Sequence, residues 1–214
     1  MSALNVLLVD DHTILRQGLK QILSDELDDI AFGDAEDAVN ALTLLRRQHW
    51  DVLILDINLP GRHGFDVLAA VQRDYPALPV LVLSSTPEDQ LGLRALRAGA
   101  SGYLNKQTAP EQLVTAVRQI LAGERYVSKA LAQKLLAELG RTGAERPRHD
   151  TLSARELQVF LLCASGKSVK DIANELALSA KTVSTFRGRI FEKLALDNDV
   201  DLALYAREHQ LLQR

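Results

Sequence analysis

The chain has 214 residues, of which 47% are hydrophobic and 25% are charged, and its formal net charge is −3. This composition is typical of a globular protein, and the length fits one large domain or two small ones. No apolar run approaches the roughly 20 residues that a membrane helix needs, and the N-terminus lacks the basic start of a signal peptide. We therefore expect a cytoplasmic protein with no membrane partner, and the single Cys163 fits a reducing compartment.

The charge is unevenly distributed along the chain. Residues 1–125 contain 11 basic and 17 acidic side chains, whereas residues 126–214 contain 14 basic and 11 acidic ones. An acidic half followed by a mildly basic half indicates two domains with different partners.

In the first half, short apolar runs alternate with segments of helical periodicity. Continuous runs rich in Val and Leu predict strands that are buried on both faces of a parallel sheet. The predicted strands are residues 5–10, a weaker run around 30–32, Val52–Asp56, Val80–Ser84 and residues 102–104. Strands that alternate with helices predict a doubly wound α/β domain with a five-stranded parallel sheet, which binds ligands beyond the carboxyl ends of its strands.

Helix-start signals accompany two of the predicted helices. Thr86 followed by Pro87 predicts a capping residue and a first helical position, and Thr108 with Glu111 has the spacing of a capping box.

A helix predicted over residues 128–139 is followed by residues 141–150, which are rich in Gly, Pro and charges and predict a linker. The predicted domain limits are therefore 1–124 for the first domain, 125–149 for a linker that includes the helix, and 150–214 for the second domain.

The last part of the chain has no strand signal and predicts an all-α domain. A capping box at Ser153 opens the first helix, Ser168 caps a second, short one, Ser179 caps a third over Ala180–Leu194, and a fourth runs over residues 199–209. The second and third helices are joined by three residues, which predicts a helix-turn-helix unit.

Polar side chains stand at the ends of the predicted strands: Asp10 and Asp11 after the first, Asp56 at the end of the third, Ser84 at the end of the fourth, and Lys106 after the fifth. In a parallel sheet these ends share one edge, so three carboxylates, a hydroxyl and an ammonium converge there. Neighbouring carboxylates repel one another and need a cation, and hard oxygen ligands suit Mg²⁺. A carboxylate can attack phosphorus and form an acyl phosphate, with the metal and the ammonium neutralising charge.

These residues, with the segments 56–61 and 103–106 and with Gly64, resemble the receiver domain of response regulators. The resemblance covers about residues 3–122. It implies that Asp56 accepts a phosphoryl group from a sensor histidine kinase. It also assigns the roles of the neighbouring residues: Mg²⁺ ligands Asp10, Asp11, Asp56 and the backbone carbonyl of Asn58; phosphoryl partners Ser84 and Lys106; switch residues Ser84 and Tyr103.

Two residues of the receiver segment depart from the family pattern. Ser85 stands where a small Ala or Gly is usual, and Gln107 follows Lys106 where Pro or Asp is frequent. Either departure could change the dephosphorylation rate or the loop geometry, but neither removes a catalytic group.

The third helix of the second domain has an outward stripe of short polar residues, at which a DNA groove could approach closely. Lys181, Arg187 and Arg189 can reach phosphates, and Ser184 and Thr185 can read base edges. The segments 152–156, 166–173 and 178–194 resemble the LuxR-type helix-turn-helix domain, so the two halves together resemble the NarL/FixJ family. The candidate DNA-binding residues are Lys181, Thr182, Ser184, Thr185, Arg187, Gly188 and Arg189.

Ser184 and Phe186 stand where many family members have Lys and His, so the preferred DNA sequence cannot be taken from the family. The resemblance implies that phosphorylation switches promoter binding and promotes a homodimer, with the helix over residues 199–209 as a candidate dimer contact. We expect no enzymatic activity beyond the receiver's own phosphotransfer and dephosphorylation.

Two alternatives remain. A phosphohydrolase of the haloacid-dehalogenase type also uses a strand-end Asp with Mg²⁺, but it needs a second Asp where this chain has Asn58. A phosphorylation-independent DNA-binding regulator would use its receiver only for dimerisation, which an intact acidic pair, Asp56, Ser84 and Lys106 argue against.

Overall fold

The computed structural model describes residues 3–59, 64–139, 147–209 and 211–212, which divide into two units, Met1–Gly140 and Arg141–Arg214. In the first unit, five parallel strands form one sheet in the order β2-β1-β3-β4-β5. The strands are β1 Leu4–Val9, β2 Ile30–Ala35, β3 Val52–Asp56, β4 Val80–Ser84 and β5 Gly102–Asn105. All five predicted strands are confirmed. The weak second one is longer than predicted because it pairs with β1 along its whole length, beyond its apolar part.

Helices cover both faces of this sheet. They are α1 Thr13–Glu26, α2 Ala38–Arg47, α3 Gly64–Asp74, α4 Glu88–Arg97 and α5 Ala109–Leu121. On one face, Val6, Leu8 and Ile54 pack against α1 and α5 in a single core. The alternate strand residues, such as Leu7 and Leu53, are equally buried, which confirms the doubly wound α/β prediction.

One predicted helix start and one predicted capping box are wrong. Helix α4 begins at Glu88 with Pro87 as its N-cap, because Thr86 is used elsewhere: its amide donates to Ser84 Oγ and its carbonyl accepts from Tyr103. Thr108 precedes α5, but its hydroxyl donates to the carbonyl of Asn105 and does not cap the helix.

Helix α6, Lys129–Leu139, lies in the first unit, although the sequence assigned it to the linker. Its Leu131 is 1% exposed and packs against Gly92 of α4, where a Cβ atom would lie 2.9 Å from Leu131 Cδ2. Lys134 Nζ also donates to the carbonyl of Asp89, at 3.1 Å. The first half of α6 is therefore packed against α4. The predicted domain limits stay a prediction, and residues 141–146 of the predicted linker lie outside the described residues.

The second unit is helical, as predicted. It contains a short 3-10 helix Arg148–Thr151, then α7 Ala154–Ala164, α8 Val169–Glu175, α9 Ala180–Leu194 and α10 Asp199–Glu208. The capping boxes at Ser153 and Ser168 are both present, and Ser179 accepts from the amide of Thr182 at the start of α9. Ala177 has a left-handed φ of 50°, which closes the tight turn between α8 and α9.

The core of the second unit is formed by Val159, Phe160, Ile172, Val183, Ile190, Leu194, Leu202 and Ala206. Among the described residues of both units, no helix has the length and hydropathy that crossing a membrane requires.

Candidate phosphorylation site and candidate nucleic-acid interface

The strand-end residues converge as the topology requires. Asp56 and Ser84, the last residues of β3 and β4, are fully buried, and Asp10 directly after β1 is nearly so. Lys106, which follows β5, places its Nζ 2.7 Å from Asp56 Oδ2 and 2.6 Å from Asp10 Oδ2. The predicted carboxylates, hydroxyl and ammonium are therefore found at one edge of the sheet.

The Asp56 carboxylate is held on both oxygens. The amide of Asn58 donates to Oδ1 at 2.8 Å, and Lys106 Nζ donates to Oδ2. Burial raises the pKa of the Asp56 carboxyl, while the ammonium of Lys106 opposes this rise. For Lys106, burial favours the neutral amine, but the charges of Asp56 and Asp10 outweigh it and raise the pKa of the ammonium. The arrangement is a buried carboxylate whose charged form is favoured by the Lys106 ammonium and by the Asn58 amide.

The same edge can hold a metal ion. Ligand atoms of Asp10, Asp11, His12 and Asp56 all lie within 4.8 Å of one another. The buried Asp10 Oδ2 lies 2.6 Å from Lys106 Nζ, so a metal ion bound here would share this oxygen with the ammonium. Three carboxylates provide the hard oxygen donors that divalent cations such as Mg²⁺ prefer. The residues present therefore fit the predicted ion.

The sequence did not single out His12 as a ligand. Its Nδ1 lies 3.0 Å from Asp10 Oδ1 and 2.7 Å from Asp11 Oδ1. The available signal was its position directly after two strand-end aspartates, where a turn folds its ring back over them. The backbone carbonyl of Asn58 remains a predicted ligand, and Pro60 and Gly61 of the motif lie outside the described residues.

Ser84 and Tyr103, the predicted switch residues, both contact Thr86. Ser84 Oγ accepts from the Thr86 amide at 3.1 Å, and the Tyr103 hydroxyl donates to the Thr86 carbonyl at 2.6 Å. Tyr103 is 1% exposed, and burial raises the pKa of its phenol. The strand-end hydroxyl of Ser84 and the phenol hydroxyl of Tyr103 are thus linked through one residue, Thr86.

The two departures from the receiver pattern lie on the surface of the same edge. Ser85 is exposed, and Gln107 is exposed with its amide donating to Asn105 Oδ1 at 2.8 Å. Neither residue displaces Ser84 or Lys106 from the acidic cluster.

Helix α9 of the second unit presents most of the candidate DNA-binding residues to solvent. The exposed members are Lys181, Ser184, Thr185, Gly188 and Arg189. Thr182 is half-buried, and its amide and hydroxyl are hydrogen-bonded to the capping Ser179. The helix therefore has one buried apolar face and one open polar face.

Arg187 is placed differently from the other candidates. Its Nη2 lies 2.6 Å from Asp199 Oδ2 of α10, and its guanidinium stands 5.3 Å from the centre of the Phe191 ring. The sequence could not show this ion pair, which joins residues of two helices. A phosphate contact by Arg187 remains a prediction, and it would compete with Asp199.

These two sites define a response regulator, in which a receiver domain is joined to a LuxR-type DNA-binding domain. Residues 6–118 match the response regulator receiver domain family, and residues 150–206 match the luxR family of bacterial regulatory proteins. The chain belongs to the NarL/FixJ family of response regulators.

Among its relatives is the response regulator GacA of Pseudomonas aeruginosa, 37% identical over 209 residues that cover 98% of each chain. RcsB from Salmonella enterica serovar Typhimurium, solved bound to a promoter in the presence of the phosphomimetic BeF3-, is 27% identical. That match covers 95% of this chain and 98% of RcsB, with a TM-score of 0.58. A second RcsB structure, of two RcsB dimers bound to two parallel DNAs, has a chain that is 28% identical to this one. The match covers 96% of this chain and 98% of RcsB, with a TM-score of 0.59.

Proposed function

We propose that this response regulator is phosphorylated on Asp56 by a sensor histidine kinase in the presence of Mg²⁺, and that phosphorylation switches promoter binding and homodimerisation. The observation that carries the proposal is the buried Asp56 carboxylate, held by Lys106 beside the cluster of Asp10, Asp11 and His12. A cytoplasmic location is part of the proposal, in keeping with membership of the receiver family.

In the transfer step, a carboxylate oxygen of Asp56 attacks the phosphorus of the kinase phosphohistidine. The new P–O bond forms as the P–N bond breaks, and the histidine nitrogen keeps the electron pair. The ionised carboxylate is the nucleophile, so Lys106 promotes the reaction by favouring the charged form of Asp56.

Asp10, Asp11, Asp56 and the backbone carbonyl of Asn58 would hold Mg²⁺, which supplies charge neutralisation at the phosphoryl oxygens. Lys106 then exchanges its contact with Asp56 for one with the phosphoryl group, and the Ser84 hydroxyl donates a hydrogen bond to a phosphoryl oxygen. Water later hydrolyses the acyl phosphate and restores the carboxylate. The chain turns over no separate substrate in this scheme.

The contact of Ser84 with the Thr86 amide gives the switch its structural basis. The Ser84 hydroxyl can donate to a phosphoryl oxygen while it still accepts from the Thr86 amide, so a phosphoryl group that draws Ser84 toward it would also move Thr86, whose carbonyl is the acceptor for Tyr103. A change at Ser84 therefore reaches both the start of α4 and the ring of Tyr103, which are the elements that would carry the signal.

For the output, the open face of α9 is the DNA-contacting surface, as supported by the luxR-family match and by the solved RcsB complex with a promoter. Helix α10 exposes two apolar side chains, Val200 at 68% and Leu204 at 41%. These would form the contact between two DNA-binding domains, so that the dimer reads two half-sites.

The test is the intact mass of the chain after incubation with Mg²⁺ and acetyl phosphate, beside Asp56→Asn. One added phosphoryl group on the wild type alone supports the proposal. A wild-type chain that binds DNA and never acquires the group would instead favour the phosphorylation-independent regulator.

A further inference from the structure

We propose that Arg16 is a positioning residue for the acidic cluster: its guanidinium fixes the peptide that carries Asp10 and Asp11 in the orientation that binds the metal ion. The inference rests on the proposed function, because it concerns Mg²⁺ at the same site. It adds a residue outside the set that touches the ion or the phosphoryl group.

Arg16 lies in the first turns of α1 and is almost buried, which is rare for an arginine unless its charge is paired. Its Nη1 donates to the backbone carbonyl of Asp10. That carbonyl belongs to the peptide between Asp10 and Asp11, so the bond restrains the backbone of two ligands at once. Nη2 donates to Thr13 Oγ1 at 3.4 Å, which keeps the fork of the guanidinium turned toward this loop.

The other side of the guanidinium is anchored to the sheet. Nε of Arg16 lies 3.6 Å from Oδ1 of Asp34, a residue of β2 that pairs in register with Leu8 of β1. Lys20, one turn further along α1, contacts the other oxygen of Asp34. Asp34 is thus held in place by the β1–β2 ladder and by Lys20, and it fixes Arg16 relative to the strand that delivers the acidic pair.

This geometry is needed because the loop places carboxylates in consecutive residues, and like charges so close together push each other apart. Groups that orient metal ligands without touching the metal commonly change metal affinity by about 10–100-fold. The charge of Arg16 acts in the opposite direction, since a cation near the site repels Mg²⁺. Removal of the side chain therefore weakens Mg²⁺ binding if Arg16 positions the loop, and strengthens it if Arg16 acts only as a charge.

Three variants of the full chain separate these effects. Arg16→Met removes the charge and the bonds, Arg16→Lys keeps the charge but loses the planar fork, and Lys20→Met removes the other cation that contacts Asp34 without contacting Asp10. Mg²⁺ binding is measured by isothermal titration calorimetry and by the Mg²⁺-dependent rise in melting temperature. The half-saturating Mg²⁺ concentration and the maximal rate are measured separately with acetyl phosphate.

We expect Arg16→Met to bind Mg²⁺ about tenfold more weakly, with the maximal rate changed less than the half-saturating concentration. Arg16→Lys should lie between it and the wild type, and Lys20→Met should change Mg²⁺ affinity less than about twofold. Unchanged or tighter binding by both Arg16 variants would overturn the inference, and so would an equal loss in Lys20→Met. If the wild-type chain bound no Mg²⁺, the proposed function would fail as well, so the two failures are distinguishable.

Discussion

The hydroxyl of Tyr103 donates a 2.6 Å hydrogen bond to the backbone carbonyl of Thr86, which connects β5 to the segment that leads into α4. Asn105 Nδ2 donates to the same carbonyl at a longer distance of 3.4 Å. The phenol therefore provides the closer of two bonds that hold this peptide, and its loss would leave the carbonyl with a poorer partner.

We expect Tyr103→Phe to lower the free energy of unfolding of the first unit by about 1 kcal/mol, the usual contribution of a buried hydrogen bond. The variant should still accept a phosphoryl group on Asp56, but phosphorylation should increase its DNA binding less than in the wild type. Urea denaturation and fluorescence anisotropy with labelled duplex DNA measure the two effects. Tyr126→Phe is the control, because its hydroxyl bonds only to Gln112 Oε1 among the described residues and lies outside the switch. An equal loss of phosphorylation response in that variant would contradict a specific role for Tyr103.

A second prediction concerns the effect of Asp56 on how the free energy of unfolding of the first unit depends on pH. Because its pKa is raised on folding, the folded state binds more protons than the unfolded state between the ordinary value of 3.8 and the folded value. The unfolding free energy contributed by Asp56 is therefore present below pH 3.8 and is lost as the pH rises through the folded pKa. Asp56→Asn should be more stable than the wild type at neutral pH, and this difference should shrink toward acidic pH.

Urea denaturation from about pH 4 to about pH 8 checks this expectation. Mg²⁺ should reduce the difference in stability between the wild type and Asp56→Asn at neutral pH, since it binds and stabilises the wild-type cluster more than the cluster of the variant. A wild-type chain that is the more stable of the two at every pH would show that Lys106 fully offsets the burial of Asp56.

Glu156 should affect the stability of the second unit with a pH dependence opposite to that of Asp56. Burial favours its neutral form, but Lys193 and the capping bonds of Ser153 outweigh this and lower the pKa of the carboxyl below 4.5. Its stabilisation is therefore present above pH 4.5 and is lost as the pH falls through the folded pKa. Glu156→Gln should cost the second unit about 1–2 kcal/mol at neutral pH, measured by circular dichroism in urea. Asp171→Asn in the exposed capping box of α8 is the control, and a loss as large as that in Glu156→Gln would argue against a contribution from burial.

Gly188 offers a test of the DNA-binding face. It lies in the interior of α9, where glycine costs about 1 kcal/mol relative to alanine, and a Cβ there meets no described atom within 4 Å. Gly188→Ala should therefore stabilise the second unit by about 0.5–1 kcal/mol. If the open face approaches DNA closely, the same change should weaken binding to a duplex of about 30 base pairs that the wild-type chain selects from a randomised library.

Gly18 provides a matched control for this substitution. It is also an interior glycine of an exposed helix surface, with no described atom within 4 Å of its Cβ position, but it lies on α1 of the receiver. Gly18→Ala should raise stability by a similar amount and leave DNA affinity unchanged. Equal affinities of both variants for the selected duplex would show that DNA does not approach the helix surface closely at Gly188.

The parts of the structure that the sequence predicted well are those with a local signal. The strands at Val52–Asp56 and Val80–Ser84 were predicted with their observed limits because each is a continuous apolar run, and the residues at their ends followed from the parallel topology. The capping boxes at Ser153 and Ser168 depend only on residues three positions apart. In each case the pattern and the physical interaction lie within a few residues.

The features that were missed depend on contacts between distant segments. Thr86 could not be excluded as a helix cap without knowing that Tyr103 binds its carbonyl. Arg187 is a reasonable phosphate ligand by sequence until Asp199 is placed beside it. The docking of α6 depends on Gly92, whose missing side chain makes room for Leu131. Such pairs have no periodicity, so only the folded arrangement shows them.

The position of β1 in the sheet also has a consequence for how the chain folds. Of the five strands, β1 leaves the ribosome first, yet it pairs with β2 on one side and with β3 on the other. Its second edge stays open until residue 56 has been synthesised, and an open apolar edge invites pairing with other chains. The aggregation-prone stage of synthesis therefore falls in the receiver, before β3 has paired with β1.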